Sequence, residues 1–412
     1  MALLETVVPA LPGYAVPHMD LGYSLVLPAA NGGDAVQFHR SLFDAPIPEA
    51  VQADYFTFLQ EAAKLYERPD WEAFLSTLDH ILFRDYIVQR GWNAAVFQWM
   101  TAELATFFGI PDQVSAAAVY RQYGGGPPQI YSAPSGNAAF IDGFLSHIWP
   151  QWKPSLGYQT LQAEDQRIGL RLNATVAAVS PSPDKVRISY FSEEKMYHVD
   201  ATAVIMAGGA FMTHHIVRGQ SAEKQQALQR FIHAPIVWVN VGLRRARAVD
   251  AADPLFMTIM SGVRHSLLIN YEKRSLPGWA DGRDPERPIV LGLSLPFYQI
   301  GAPAAEQAAI GRNEILSLSF ADYETWIRAD LQKVFGPFGF DAERDIAALS
   351  VCRWGHGYAY PDPGFLTDGA RNVAAAPEGR VFYANTDLDG FSHLSGAIGH
   401  GHRAANQALA LL

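Results

Sequence analysis

Cysteine is almost absent. The 412 residues hold one, Cys352, so no intramolecular disulfide can form and no cysteine-built metal site can be assembled. Clustered positive charge is missing as well: 31 Lys and Arg stand against 41 Asp and Glu, for a net charge of −10, and no basic run occurs. That excludes the electrostatic footprint of a nucleic-acid binder. The N-terminus lacks a signal-peptide layout, because no Lys or Arg precedes its apolar stretch and Glu5, Pro9, Pro12 and Pro17 interrupt it. The long uncharged stretch from Pro288 to Ala305 carries three prolines and Gln299, and reads as buried strand and loop rather than a membrane span. Together these absences make a soluble, cytoplasmic protein the expectation.

What is present is apolar and aromatic matter. With 49% apolar, 12% aromatic and 17% charged residues, the chain can bury substantial cores, and global disorder is excluded. At roughly 150 residues per domain the length suits two or three domains. Residues 46–120 read as helical: Ala50 to Tyr66 has helical spacing, Asp70 is placed to cap a helix through Trp71, Phe74 and Leu75, and Asn93 to Phe108 closes on Gly109-Ile110-Pro111. From residue 168 the period switches to two. Ile168–Val179, Lys185–Phe191 and Tyr197–Val199 read as strands, followed by an apolar strand, Asp200 to Gly208, that ends in glycine. Ile236–Val241 is a strand, Phe320–Phe335 a helix, Val381–Ala384 a strand and Ala397–Leu411 a helix. Interleaved helices and strands predict an α/β class, of mixed α+β character, with two intertwined domains.

The C-terminal tail bears the clearest chemical pattern. A buried strand, Gly379 to Ala384, ends on Asn385-Thr386-Asp387, and after a loop Ser395-Gly396-Ala397-Ile398-Gly399-His400 opens a helix. A strand that delivers an acidic side chain beside a glycine-rich helix N-terminus suits a nucleotide cofactor, whose anionic or electron-rich edge can face the helix's free N–H groups. The stretch Gly379–Ala405 resembles the C-terminal FAD-binding segment of flavin-dependent amine oxidases. Pro134-Ser135-Gly136-Asn137-Ala138, Arg171-Leu172-Asn173-Ala174-Thr175-Val176 and the strand at Asp200–Ala207 resemble further segments of that superfamily, in the same order. Pro235–Val241 and Arg353–Tyr360 most resemble its bacterial spermidine-dehydrogenase-like branch.

The resemblance implies oxidation of an amine C–N bond with noncovalent FAD as acceptor, since the position of the family's flavin-attaching cysteine falls on Gly357. Asp387 matches the acidic residue near the FAD pyrophosphate and ribityl chain. Asn385, Thr386, Gly396 and Ala397 fall beside the flavin, and Val176 on the adenine side. Tyr358 matches one of two aromatic residues that flank the amine; the second falls on His393, where an imidazole would serve as an acid–base group. Trp354, His356 and Tyr360 are expected around the same substrate cavity. The implied organisation is an N-terminal segment (1–45), a helical substrate subdomain (46–120), part of the FAD-binding domain (121–235), a substrate domain (236–345) and a C-terminal FAD-binding segment (346–412). The pairs His214-His215 and His400-x-His402 lack accompanying ligands, so no metal is expected.

One element of the superfamily is missing. No Gly-x-Gly-x-x-Gly follows a strand: Gly124 and Gly126 are followed by Pro127, Pro128 and Gln129, Gly208-Gly209 has no third glycine, Asn31-Gly32-Gly33 has none either, and Gly396, Gly399 and Gly401 run in reversed order. The lysine some relatives hold near the flavin has no clear counterpart, Lys273 being unsupported by its neighbours. The expectation is therefore an incomplete Rossmann-like FAD domain interleaved with a substrate domain, its phosphate-gripping unit supplied by a small Rossmann-type partner subunit. Loss of flavin leaving a binding scaffold, a truncated chain, a site rebuilt from residues 1–45, and a related flavin desaturase remain open alternatives.

Overall fold

In this computed structural model the described residues are 13–14, 23–28, 36–39, 44–124, 130–131, 138–162, 169–254, 256–260, 266–270 and 284–411. The readings at Asn31–Gly33, Gly125–Gln129, Pro134–Asn137 and Lys273 lie outside them. Strand β1 (Gly13–Tyr14) pairs with β4 (Ile130–Tyr131), whereas β2 (Tyr23–Pro28) and β3 (Val36–His39) join a larger sheet described below.

Residues 49–123 form five helices rather than the three expected: α1 (Glu49–Ala63), α2 (Trp71–Leu78), α3 (Phe83–Gln89), α4 (Ala95–Phe108) and α5 (Ala116–Tyr123). The additional pair is α3 and α5. Ser115 caps α5 by accepting a hydrogen bond from the N–H of Ala118. Asp70 precedes α2 but makes no capping bond; its carboxylate is taken by Arg68. The shared core centres on Phe58, fully buried, whose ring meets those of Phe83, Trp92, Tyr120 and Tyr123 at 5.2–6.4 Å between centroids. Burial of such a ring contributes on the order of 2–3 kcal/mol.

After α6 (Ala138–Ile148) come β5 (Thr175–Pro181), β6 (Val186–Ser192) and β7 (Lys195–Ala201), an antiparallel meander. The single strand expected over Asp200–Gly208 is two: Asp200 is held in the meander by Lys185 and Arg187, the chain bends at Thr202, and β8 (Val204–Met206) starts afresh. Helices α7 (Ala210–Ile216) and α8 (Ala222–Gln229) follow, then the long strand β9 (Ile232–Leu243) and α9 (Arg247–Ala252).

The remaining elements are β10 (Phe256–Ile259), β11 (Ser266–Asn270), β12 (Ile289–Pro296), α10 (Ala304–Ser317), α11 (Phe320–Phe335), α12 (Ala342–Asp345), β13 (Ile346–Tyr360), α13 (Ala370–Ala375), β14 (Val381–Tyr383) and α14 (Leu394–Leu409). A seven-stranded sheet runs β13-β9-β12-β11-β10-β2-β3, antiparallel except where β2 lies parallel to β10. Helix α11, opened by a Ser319–Asp322 capping box, lays Tyr323, Ile327, Leu331 and Phe335 into a core with Val239, Val241, Leu291 and Leu293 of this sheet. Strands β2 and β3, near the start of the chain, and β13, which begins at Ile346, thus belong to the same sheet. Among the described residues β14 and β8 form a separate two-stranded parallel pair.

Candidate active site

Parallel strands β8 and β14 release their chains at the same end, the place where open α/β sheets bind ligands. The two exits are stitched together. Ala384 N–H donates to Met206 O at 2.8 Å, and Asn385 Nδ2 donates to Gly208 O at 2.7 Å. Oδ1 of Asn385 is buried with no hydrogen-bond partner among the described residues. Asp387 is buried, and its Oδ2 accepts from Ala210 N–H at 2.7 Å and from His233 Nε2 at 2.9 Å. Its carboxylate thus faces the first turn of α7 and the start of β9, an orientation its place in the sequence does not reveal.

His233 enters from β9, and its carbonyl accepts from Arg312 Nη1 at 2.9 Å. Its Nε2 donates to the Asp387 carboxylate, and Nδ1 is buried without a partner among the described residues. Phe211 of α7 meets the His233 ring edge-on at 5.0 Å and stacks on His356 at 4.0 Å and 5°. His233, Arg312 and Phe211 were not singled out from sequence. His233 lies two residues before Pro235, where the resemblance starts, and a histidine entering an apolar strand was the available signal.

His356 owes its position to a bulge. Trp354 pairs with Ile236 and Tyr358 with Ala234, so Gly355, His356 and Gly357 oppose the single residue Pro235. Proline has no N–H to give the ladder, and the strand facing it is free to loop outward. A Cβ on Gly357 would sit 2.5 Å from Ile236 Cγ2, so glycine is required there. Burial, the Arg312 guanidinium and His233 together push the His356 imidazole down to about 4, with Asp387 opposing. The unfolded chain, with an imidazole pKa of about 6.5, then binds the proton more readily than the folded chain between those two values. Stability contributed here is present above about 6.5 and declines as pH falls toward 4. Urea midpoints at pH 7 and pH 5 are expected to drop more for the wild type than for His356→Gln; equal drops would remove His356 as the source.

The other residues of β13 separate. Trp354 is 58% exposed, Tyr358 is half-buried, and Tyr360 is fully buried in the helical core with its hydroxyl unpaired. Burial pushes the Tyr358 phenol up to about 12, so it stays neutral. Tyr360, expected at the substrate cavity, packs inside the helical core, two residues beyond Tyr358 in the regular ladder with β9. Val176 is exposed on β5, opposite Tyr190.

The N-terminal half of α14 borders an open cleft of about 360 Å³ lined by Asp389, Ser395, Gly396, Gly399, His400 and Arg403. A Cβ on Gly396 would lie 2.3 Å from Asp389 Oδ2 and 3.4 Å from Thr386 Oγ1, whereas Gly399 and Gly401 have nothing within 4 Å. Asp389 pairs with His400 at 3.2 Å, and that bond, with Arg121 and Arg371 nearby, holds its carboxyl below the usual range. Thr386 Oγ1 donates toward the carbonyls of Phe391 (2.6 Å) and His393 (3.0 Å) and accepts from His393 N–H at 3.1 Å, which ties down the loop before the helix. His393 precedes α14 with its side chain exposed, and desolvation and Arg121 lower its pKa. Ala397 lies in the first turn.

Among the described residues no group of three His, Cys, Asp or Glu side chains could hold a metal ion, and no helix is long and apolar enough to cross a membrane. No curated protein matches the chain. Solved structures do share its fold. Putrescine oxidase bound to putrescine is 15% identical with a TM-score of 0.65, covering 99% of this chain and 85% of its own. A putrescine oxidase variant is 16% identical with a TM-score of 0.67, over 99% and 84%. Cyclohexylamine oxidase from Brevibacterium oxydans IH-35A is 15% identical with a TM-score of 0.62, over 99% and 84%. The family model for flavin-containing amine oxidoreductases matches residues 158–409, more than half of the sequence. The chain belongs to the flavin-containing amine oxidoreductase family, with FAD as its cofactor.

Proposed function

We propose that these 412 residues form the substrate-side subunit of an FAD-dependent amine oxidase or dehydrogenase, completed by a small Rossmann-type partner subunit that brings the Gly-x-Gly-x-x-Gly element. One observation carries the reading. Parallel sheets are buried on both faces and paired on both edges except at their margins, yet β8 has β14 on one side and no strand on the other among the described residues. Ile205 at its centre is 41% exposed. The N-terminal strands β2 and β3 are committed to the other sheet, so they do not fill this edge.

The residues at the α14 end fit the flavin half of an FAD site. Gly396 leaves no bulk at the helix start, Asn385 Oδ1 is a buried acceptor without a donor, and the cleft before α14 is open. Asp387, Asn385, Thr386, Gly396 and Ala397 would hold the flavin side, and Val176 the adenine side. Cys352 pairs with Trp238 in the body of β13, five residues before Gly357, consistent with noncovalent binding. Bound FAD supplies a two-electron acceptor for the amine's C–N unit.

The chain's own residues orient the substrate. Tyr358, a neutral phenol, and the exposed indole of Trp354 present electron-rich faces that attract a cationic amine on entry. His393, held toward its neutral form, is placed to take the ammonium proton so that the lone pair is free. His356 stays neutral and adds no repelling charge. The motif likeness to the spermidine-dehydrogenase-like branch makes spermidine the first amine to try.

Purification of the chain alone and together with whatever co-purifies tests the reading. The visible flavin band and amine-dependent aldehyde release are expected from the complex alone. Stoichiometric FAD on the isolated 412-residue chain would defeat it.

A further inference from the structure

We infer that His233 is the positioning residue of the flavin site: it clamps one oxygen of Asp387 from β9 so that the other oxygen is held as a fixed acceptor for a hydroxyl of the cofactor's polyol chain. The inference rests on the proposal that Asp387 meets the flavin.

Two elements converge on Asp387. The first free N–H of α7, from Ala210, and the Nε2–H of His233 both end on Oδ2, at 2.7 and 2.9 Å. Oδ1 makes no hydrogen bond with any described residue and is not sealed from solvent. A carboxylate on a free side chain exchanges its two oxygens by rotation. With two donors converging on one oxygen, the rotation stops and the remaining lone pairs keep one direction.

The histidine's own surroundings point the same way. His233 is 3% exposed, yet Nδ1 has no partner among the described residues. Buried polar atoms are nearly always paired, and an orphan ring nitrogen is a standing cost. The bond to Asp387 is the one hydrogen bond the ring makes among the described residues, and an apolar residue would fill the site without the orphan. The ring is also fixed, edge-on to Phe211 at 5.0 Å and beside His356 at 5.9 Å, with its backbone carbonyl held by Arg312. Such a clamp is rigid from the protein side and leaves one atom facing outward.

The test uses the flavin-loaded protein, with its partner if the complex is the loaded form, and reads FAD dissociation by recovery of free-flavin fluorescence. His233→Phe keeps the ring contacts without the donor, whereas His233→Gln returns an N–H at the place of Nε2. The Phe variant is expected to bind FAD about tenfold more weakly, the Gln variant within about threefold of wild type, since a hydrogen bond to a charged group is worth roughly that factor. In Asp387→Ala the further change His233→Phe is expected to have no added effect on affinity. Should the Phe variant not fold, His233→Asn, whose amide stops short of Asp387, must show the weakened binding instead. Normal FAD affinity in a folded Phe or Asn variant, with Asp387→Ala impaired, overturns the inference. Normal affinity in Asp387→Ala itself overturns the assignment of Asp387 on which it stands.

Discussion

Replacing Gly109 with alanine is expected to lower the unfolding free energy by about 3–5 kcal/mol, a backbone penalty and an overpacking penalty acting together. Gly109 ends α4 with φ at +79°, and its N–H donates to Ala105 O at 2.8 Å. A new Cβ would lie 2.2 Å from the Cβ of Ala234 and 3.5 Å from its Cα. Neither atom belongs to a flexible side-chain end, so relief requires the helix terminus or β9 to move. Gly91 is the internal comparison: φ is +73°, but nothing lies within 4 Å of its would-be Cβ. Gly91→Ala should therefore lose about 1 kcal/mol, the backbone part alone. Urea midpoints at constant m separate the two. The effect reaches the site, because Ala234 pairs with Tyr358 and Tyr358 Cδ2 is 3.7 Å from the same point. Amine turnover should fall along with stability in Gly109→Ala and stay normal in Gly91→Ala. Similar losses in both variants would mean that β9 yields easily.

What could be read in advance was local. The end of α4 at Gly109, the meander of β5 to β7, and the strand–loop–helix of β14 and α14 follow from period and from glycine placement within a few residues of each other. What stayed hidden depends on partners far along the chain. The parallel pairing of β2 with β10 decides that β2 and β3 join the seven-stranded sheet, and no feature of residues 23–28 announces it. The excursion at His356 is set by Pro235 on the opposite strand. Trp354, Tyr358 and Tyr360, alike on paper, end up exposed, half-buried and buried, because each meets different neighbours from elsewhere in the chain. Asp387 was recognisable as the acidic residue at a strand end. The histidine that fixes its orientation stands 154 positions away, and only the fold brings the two together.

A second large effect is expected where the helices of residues 49–123 are fastened to the segment after β13. Asp79, fully buried at the end of α2, accepts three hydrogen bonds on Oδ2: from the N–H groups of Leu366 and Thr367 at 3.0 Å each and from Thr367 Oγ1 at 2.7 Å. Its backbone carbonyl takes a fourth, from Gly364 N–H at 2.8 Å. The segment after β13 is thereby held against α2 before it turns into α13. Asp79→Ala removes the acceptor and leaves the two N–H groups with no protein partner, at a cost of about 2–4 kcal/mol. Asp79→Asn keeps an oxygen for all three donors but places an amide NH2 where Oδ1 has no partner, so a smaller loss of about 1–2 kcal/mol is expected. Hydrogen exchange distinguishes this fastening from a general weakening of the core. The amides of Leu366 and Thr367 should exchange much faster in Asp79→Ala, while those of β9 and β12 should change only by the drop in global stability. Uniform acceleration across both regions would show that Asp79 supports the whole fold rather than this one junction. Unchanged exchange at Leu366 and Thr367 would show that the junction holds without it.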